Sequence, residues 1–181
     1  MTFLRPLLPI ATYVSLAAAG IFQLSIFDIE SPLNGQIVNA AGEAFYAGLS
    51  SPASYCPHQG ASECPVEVPG GQQVYVLDSG EIVYTPPHSE SPPNDLAAGQ
   101  FTNTTVVSDC AAPFTIFNWR SASTPVTGGI LACPKILQGS TDPKYQIYAR
   151  TPGFKLTNCT VVLGLLPHLQ SNNAFGAWEY A

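Results

Sequence analysis

The chain has 181 residues, room for one domain of ordinary size, and 46% of them are hydrophobic, enough to fill a core. Only 10% are charged, with six Lys and Arg against twelve Asp and Glu and a formal net charge of −6. A polar surface built mostly from uncharged residues is common outside the cell, and so few basic groups exclude the electrostatic footprint that RNA or DNA requires.

Arg5 precedes an apolar run from Leu7 to Ala19 that closes on Ala17-Ala18-Ala19-Gly20. A basic start, a short apolar stretch and a small-residue cleavage site describe a secretory signal over residues 1–19. Pro9, Thr12 and Ser15 interrupt the run, which falls short of the ~20 apolar residues needed to cross a bilayer, so no membrane anchor is expected once the signal is removed. Residues 20–181 then form a single secreted domain.

Ile21 to Ile29 alternates loosely and reads as an edge strand or a mobile arm, ended by Ser31-Pro32-Leu33-Asn34-Gly35. Gln36–Asn39 and Ala44–Ala47 flank a short Gly-containing turn and read as a hairpin. The stretch Val66 to Thr85 organises the chain. Val66 and Val68, Val74–Val76 and Ile82–Tyr84 are three β-prone pieces separated by Pro69-Gly70-Gly71 and Asp78-Ser79-Gly80, residues that accept tight or positive-φ backbone. Prolines at 86, 87, 92 and 93 cannot supply ladder donors, and residues 86–99 are expected to be an exposed Pro-rich loop. Phe114–Trp119, Gly129–Cys133, Tyr145–Ala149, Cys159–Leu166 and Phe175–Tyr180 complete the strands. The pattern predicts an all-β, single-domain antiparallel β-sandwich or β-barrel of about nine to ten short strands.

In an oxidising compartment four of the five cysteines can pair. Local spacing favours Cys56 with Cys64, leaving Cys133 and Cys159 as the long-range bridge and Cys110 unpaired, with other connectivities open. His58, His88 and His168 lack the paired spacing of a zinc motif and the cysteines lack CxxC, so no metal or cofactor is expected. Most carboxylates fall at turns, as Asp78 and Glu81 do, and no GxSxG elbow occurs; no catalytic residue is assigned and the protein reads as a non-enzyme. Strand aromatics such as Tyr75, Tyr84, Trp119, Tyr145 and Tyr148 could stack on sugars, although alternation alone does not say which rings face outward. Gln72, Gln73, Tyr75 and Tyr84 are the candidate glycan contacts. Asn103-Thr104-Thr105 and Asn158-Cys159-Thr160 are N-glycosylation acceptor patterns.

The segments SPLNGQIVNAAGEAFYAG from Ser31, PASYCP from Pro52, VEVPGGQQVYV from Val66, GEIVYTPPHSES from Gly80, ILACP from Ile130, YQIYA from Tyr145 and the final GAWEYA resemble the fungal cell-wall protein PhiA family over nearly all of the chain beyond the signal. VPGGQQVYV is the most specific part. The resemblance implies a secreted, wall-associated fungal protein linked to phialide and conidium development, in a family with some allergen members and no established catalytic residues. It matches Cys56, Cys64, Cys133 and Cys159 as the bridged cysteines, whereas Cys110 and the acidic Glu90–Asp95 segment depart from it. The expected partners are wall polysaccharide or other wall proteins. The alternatives are a lectin-like module for glucan or chitin and, behind it, a glycan-active hydrolase.

Overall fold

A computed structural model describes residues 22–55, 72–86, 91–109, 111–123, 129–169 and 179–180. Among them there are thirteen strands and no helix: β1 (Phe22–Phe27), β2 (Ile37–Ala41), β3 (Ala44–Ala47), β4 (Ser54–Tyr55), β5 (Val74–Val76), β6 (Ile82–Tyr84), β7 (Gly99–Ser108), β8 (Ala111–Ser121), β9 (Ile130–Lys135), β10 (Lys144–Ala149), β11 (Thr160–Val162), β12 (Gly164–Leu169) and β13 (Glu179–Tyr180). The expected all-β class is observed, with more strands than the nine or ten expected. The proposed signal, Val66–Val68, Cys56, Cys64, Cys110, His58 and His88 lie outside the described residues.

Eleven strands make one curled antiparallel sheet in the order β11-β9-β10-β3-β2-β1-β12-β8-β7, with the β5–β6 hairpin joined to β3; β4 and β13 pair separately. Alternation assigns the faces. Val38, Ala47, Ile147, Ala149, Ile130, Ala132, Ile26 and Leu165 point to one side and form the main core with Val76, Ile82 and Trp119. The intervening residues on β9 and β10 are buried as well: Leu131, Cys133 and Tyr148 form a second cluster, covered by Phe154 and Cys159 from the loop after β10. Ile130–Cys133 of β9 is therefore buried on both faces, which explains its continuous apolar run, while β10 places Gln146 beside Cys133 on the second face.

The β2–β3 hairpin closes on the Ala41↔Ala44 pair, leaving Gly42 and Glu43 as a two-residue turn with φ of 53° and 59°. Positive φ at both positions is the turn whose twist matches antiparallel strands. Glu43 is a β-carbon-bearing residue in this left-handed region, so Glu43→Gly is expected to raise stability by about 0.5–1 kcal/mol after the added flexibility of the unfolded chain is subtracted. The midpoint of urea unfolding measures this, and a lower midpoint would contradict it.

Several expectations are corrected. β1 is neither an edge strand nor an arm, because it sits between β2 and β12 with Ser25 and Ile26 fully buried. The expected strand from Cys159 to Leu166 is two strands, since β11 pairs with β9 whereas β12 pairs with β1 and β8 at a different place in the sheet. Pro167 is accommodated inside β12 because, beyond Leu165↔Phe117, that strand has only β1 as its registered partner. The Pro-rich loop is exposed over much of its described length, but its end folds back. Asp78 N–H donates to the Asp95 carbonyl at 2.7 Å and Ala97 N–H to the Val76 carbonyl at 2.8 Å. β7, absent from the expected strands, is paired with β8 along its length.

Candidate functional site

The start of β5 carries the polar cluster that the sequence singles out. Gln73 N–H donates to Thr85 Oγ1 at 3.0 Å, and Thr85 N–H returns a bond to the Gln73 carbonyl at 2.9 Å. Gln72 Nε2 donates to the Thr85 carbonyl at 2.8 Å, and the Tyr75 hydroxyl donates to Gln73 Oε1. Residues 73 and 75 share a strand face, so this pairing follows from the period of two. The cluster joins amide and hydroxyl groups fixed by backbone bonds at an exposed hairpin end, the donor and acceptor chemistry that sugar hydroxyls complement. Tyr84 does not belong to it. It is 3% exposed and packs edge-on against Phe45 with ring centroids 5.4 Å apart, so its ring is unavailable to a sugar. Trp119 and Tyr148 are buried too, and Tyr145 packs against the main core.

A second surface feature was not singled out in the sequence. Gly99, Gln100, Arg120, Ser121 and Ala122 line a shallow groove of about 320 Å³ where β7 leaves the Pro-rich loop. Phe101 is 42% exposed and meets Trp119 edge-on at 5.3 Å. Beneath it, Trp119 Nε1 is buried with no hydrogen-bond partner among the described residues. By alternation Phe101 lies on the Trp119 face of the β7–β8 pair and Gln100 and Arg120 on the other, so the exposed ring and the groove's amide and guanidinium are separate features of this hairpin.

His168 is on β12 and not in a loop; its Nε2 shares a 2.7 Å hydrogen bond with Ser25 Oγ, satisfying a buried hydroxyl in the middle of the sheet. No group of three or more His, Cys, Asp or Glu able to hold a metal ion occurs among the described residues. Asp78 and Glu81 flank the β5–β6 turn as expected, with the Asp78 carbonyl accepting from Thr151 Oγ1 at 2.6 Å. Gln146 is 2% exposed and accepts a 2.8 Å bond from Lys135 Nζ.

Burial pushes the Tyr148 hydroxyl up to about 12, with the Glu81 carboxylate, Tyr46 and a hydrogen bond to Glu81 adding to the effect. The folded chain then holds this proton where the unfolded chain, with an ordinary value of 10, has lost it. The stabilisation is complete below pH ~10 and is lost as pH rises toward ~12. Tyr148→Phe is expected to abolish that alkaline slope, as measured by denaturant unfolding at successive pH values; an unchanged slope would contradict it.

Of the bridged cysteines expected, Cys133 and Cys159 are joined, with Cα atoms 4.1 Å apart. Asn103 lies on β7 and Asn158 just before β11, and both are exposed.

A protein of Arthroderma benhamiae described as an uncharacterized secreted protein is 29% identical over 163 residues, covering 79% of this chain and 76% of that one. This likeness supports a secreted fungal protein. No family profile and no solved structure matches the chain.

Proposed function

We propose that this secreted fungal protein is a non-enzymatic component of the cell wall, held there by non-covalent association with wall polysaccharide or wall proteins. Its role would lie in phialide and conidium development, as in the PhiA family it resembles. The observation that supports this reading best is the amide and hydroxyl cluster of Gln72, Gln73 and Tyr75, fixed by bonds to the buried Thr85, an uncharged hydrogen-bonding group suited to polymers of hydroxyl groups. The exposed ring of Phe101 favours a second reading, a lectin-like module that stacks one ring on a defined sugar.

Co-sedimentation of the purified mature protein with washed fungal walls, with the supernatant assayed for released sugar, tests the proposal. Saturable binding without sugar release is the expected result. Competition by a defined glucan or chitin, together with loss of binding in Phe101→Ala, would favour the lectin-like reading. Weakened binding in a Gln73→Ala/Tyr75→Phe variant would place the contact on the hairpin. Release of sugar, abolished by removal of a carboxylate, would overturn the non-enzymatic reading.

A further inference from the structure

The strand order leaves β11 and β7 at its two ends, and the chain's two N-glycosylation acceptor patterns fall on those same ends. We propose that Asn103 carries an N-linked oligosaccharide that guards the β7 end of the sheet. The oligosaccharide on Asn103 keeps β7 from pairing with β7 of a second copy of this chain.

The argument starts from what an open strand edge does. It presents backbone N–H and C=O groups to any strand that approaches, and folds blunt such edges by shortness, charge, proline or a bulge. β11 has three residues, as does β5, which has only β6 as its partner among the described strands; both are protected by length. β7 has ten. Its sequence, GQFTNTTVVS, contains no charge and no proline, and its irregularity lies only at its far end, between Val106 and Ser108. Among the described strands β8 is its only partner, so no described strand covers the other edge of this long strand.

Side-chain positions on β7 favour self-pairing once the edge is bare. Phe101 and Val107 are 42% and 74% exposed and lie three residues on either side of Thr104. Two copies paired antiparallel about Thr104 would set Thr102 of each opposite Val106 of the other, a β-branched cross-strand pair, and bring Phe101 toward the irregular segment that holds Val107. Asn103 is exposed and next to that axis, so an oligosaccharide there would stand in the joint twice. A secreted chain passes the machinery that modifies Asn-x-Ser/Thr, so the acceptor pattern and the route agree.

The test expresses the full chain in a secreting eukaryotic host, measures site occupancy by glycopeptide mass spectrometry, and measures mass in solution by light scattering over a concentration series. Wild type and Thr105→Ser are expected to be occupied at Asn103 and monomeric. Thr105→Ala and Asn103→Gln, with near-ultraviolet circular dichroism matching wild type, are expected to lack that oligosaccharide and to at least double in mass as concentration rises. Asn103→Lys also lacks it but places a charge on the edge, and is expected to stay monomeric. An unoccupied Asn103 in the wild type would overturn the proposal, as would monomeric behaviour of both Thr105→Ala and Asn103→Gln. Association of Asn103→Lys as readily as of Asn103→Gln would also overturn it, because the contact would then lie elsewhere.

Discussion

Replacing Gly80 by Ala is expected to lower the stability of the fold by about 3–5 kcal/mol, the sum of left-handed strain and overpacking. Gly80 ends the turn between β5 and β6 at φ 91°. A β-carbon there would lie 2.5 Å from the Ala149 carbonyl oxygen and 2.8 Å from the Phe154 ring. The neighbours cannot retreat cheaply: Ala149 N–H donates to the Gly80 carbonyl at 2.7 Å, and Phe154 caps the second cluster. The turn is thus welded to the end of β10 from both directions. Gly35→Ala separates the two contributions, because Gly35 has φ 77° but nothing within 4 Å of the position a β-carbon would take. It is expected to lose only about 1–2 kcal/mol. Urea unfolding of both variants measures the difference, and equal losses would show that crowding at Gly80 contributes nothing.

Removing the Cys133–Cys159 bridge as the double variant Cys133→Ala/Cys159→Ala is expected to cost about 3.5 kcal/mol in the chain-entropy description of a loop of this length. The cysteines are 26 residues apart and the bridge ties the loop after β10 to β9. That loop brings Phe154 over Leu131, Cys133 and Tyr148. The variant should therefore lose local protection as well as global stability. Limited proteolysis is expected to cut first between residues 150 and 159, and the denaturant dependence of unfolding should change as the unfolded chain becomes freer. An unaltered unfolding midpoint would mean that packing of Phe154 alone holds the loop. The double variant is more informative than a reductant, which acts on every bridge at once.

The two hairpins were legible for a physical reason. In β2–β3 and β5–β6, β-prone runs are separated by turn residues at short range, so local chemistry and final structure agree. β7 carries no local strand pattern because its residues are exposed on both sides and do not alternate; its Thr and Val content is the available signal. β1 reads as an edge strand or arm from sequence because its neighbour β12 comes from far along the chain, and nothing near Phe22–Phe27 announces a second partner. The candidate site divided in the same way. Gln73 and Tyr75 sit on one strand two residues apart and do meet, whereas Tyr84 required knowledge of which face is covered by Phe45. The groove near Phe101 joins β7 to β8, and no short-range pattern marks it.

The pairing of β1 with β12 also sets an order of events. The Ser25–His168 bond spans 143 residues, and until β12 emerges β1 has only β2 beside it. β12 in turn links β1 to the β7–β8 hairpin, so completion of the sheet waits for a segment made late in synthesis. Closure over such a distance is slow compared with local hairpin formation. Until β12 is made, the edge of β1 that it will occupy stays unpaired and the sheet exists only as separate hairpins.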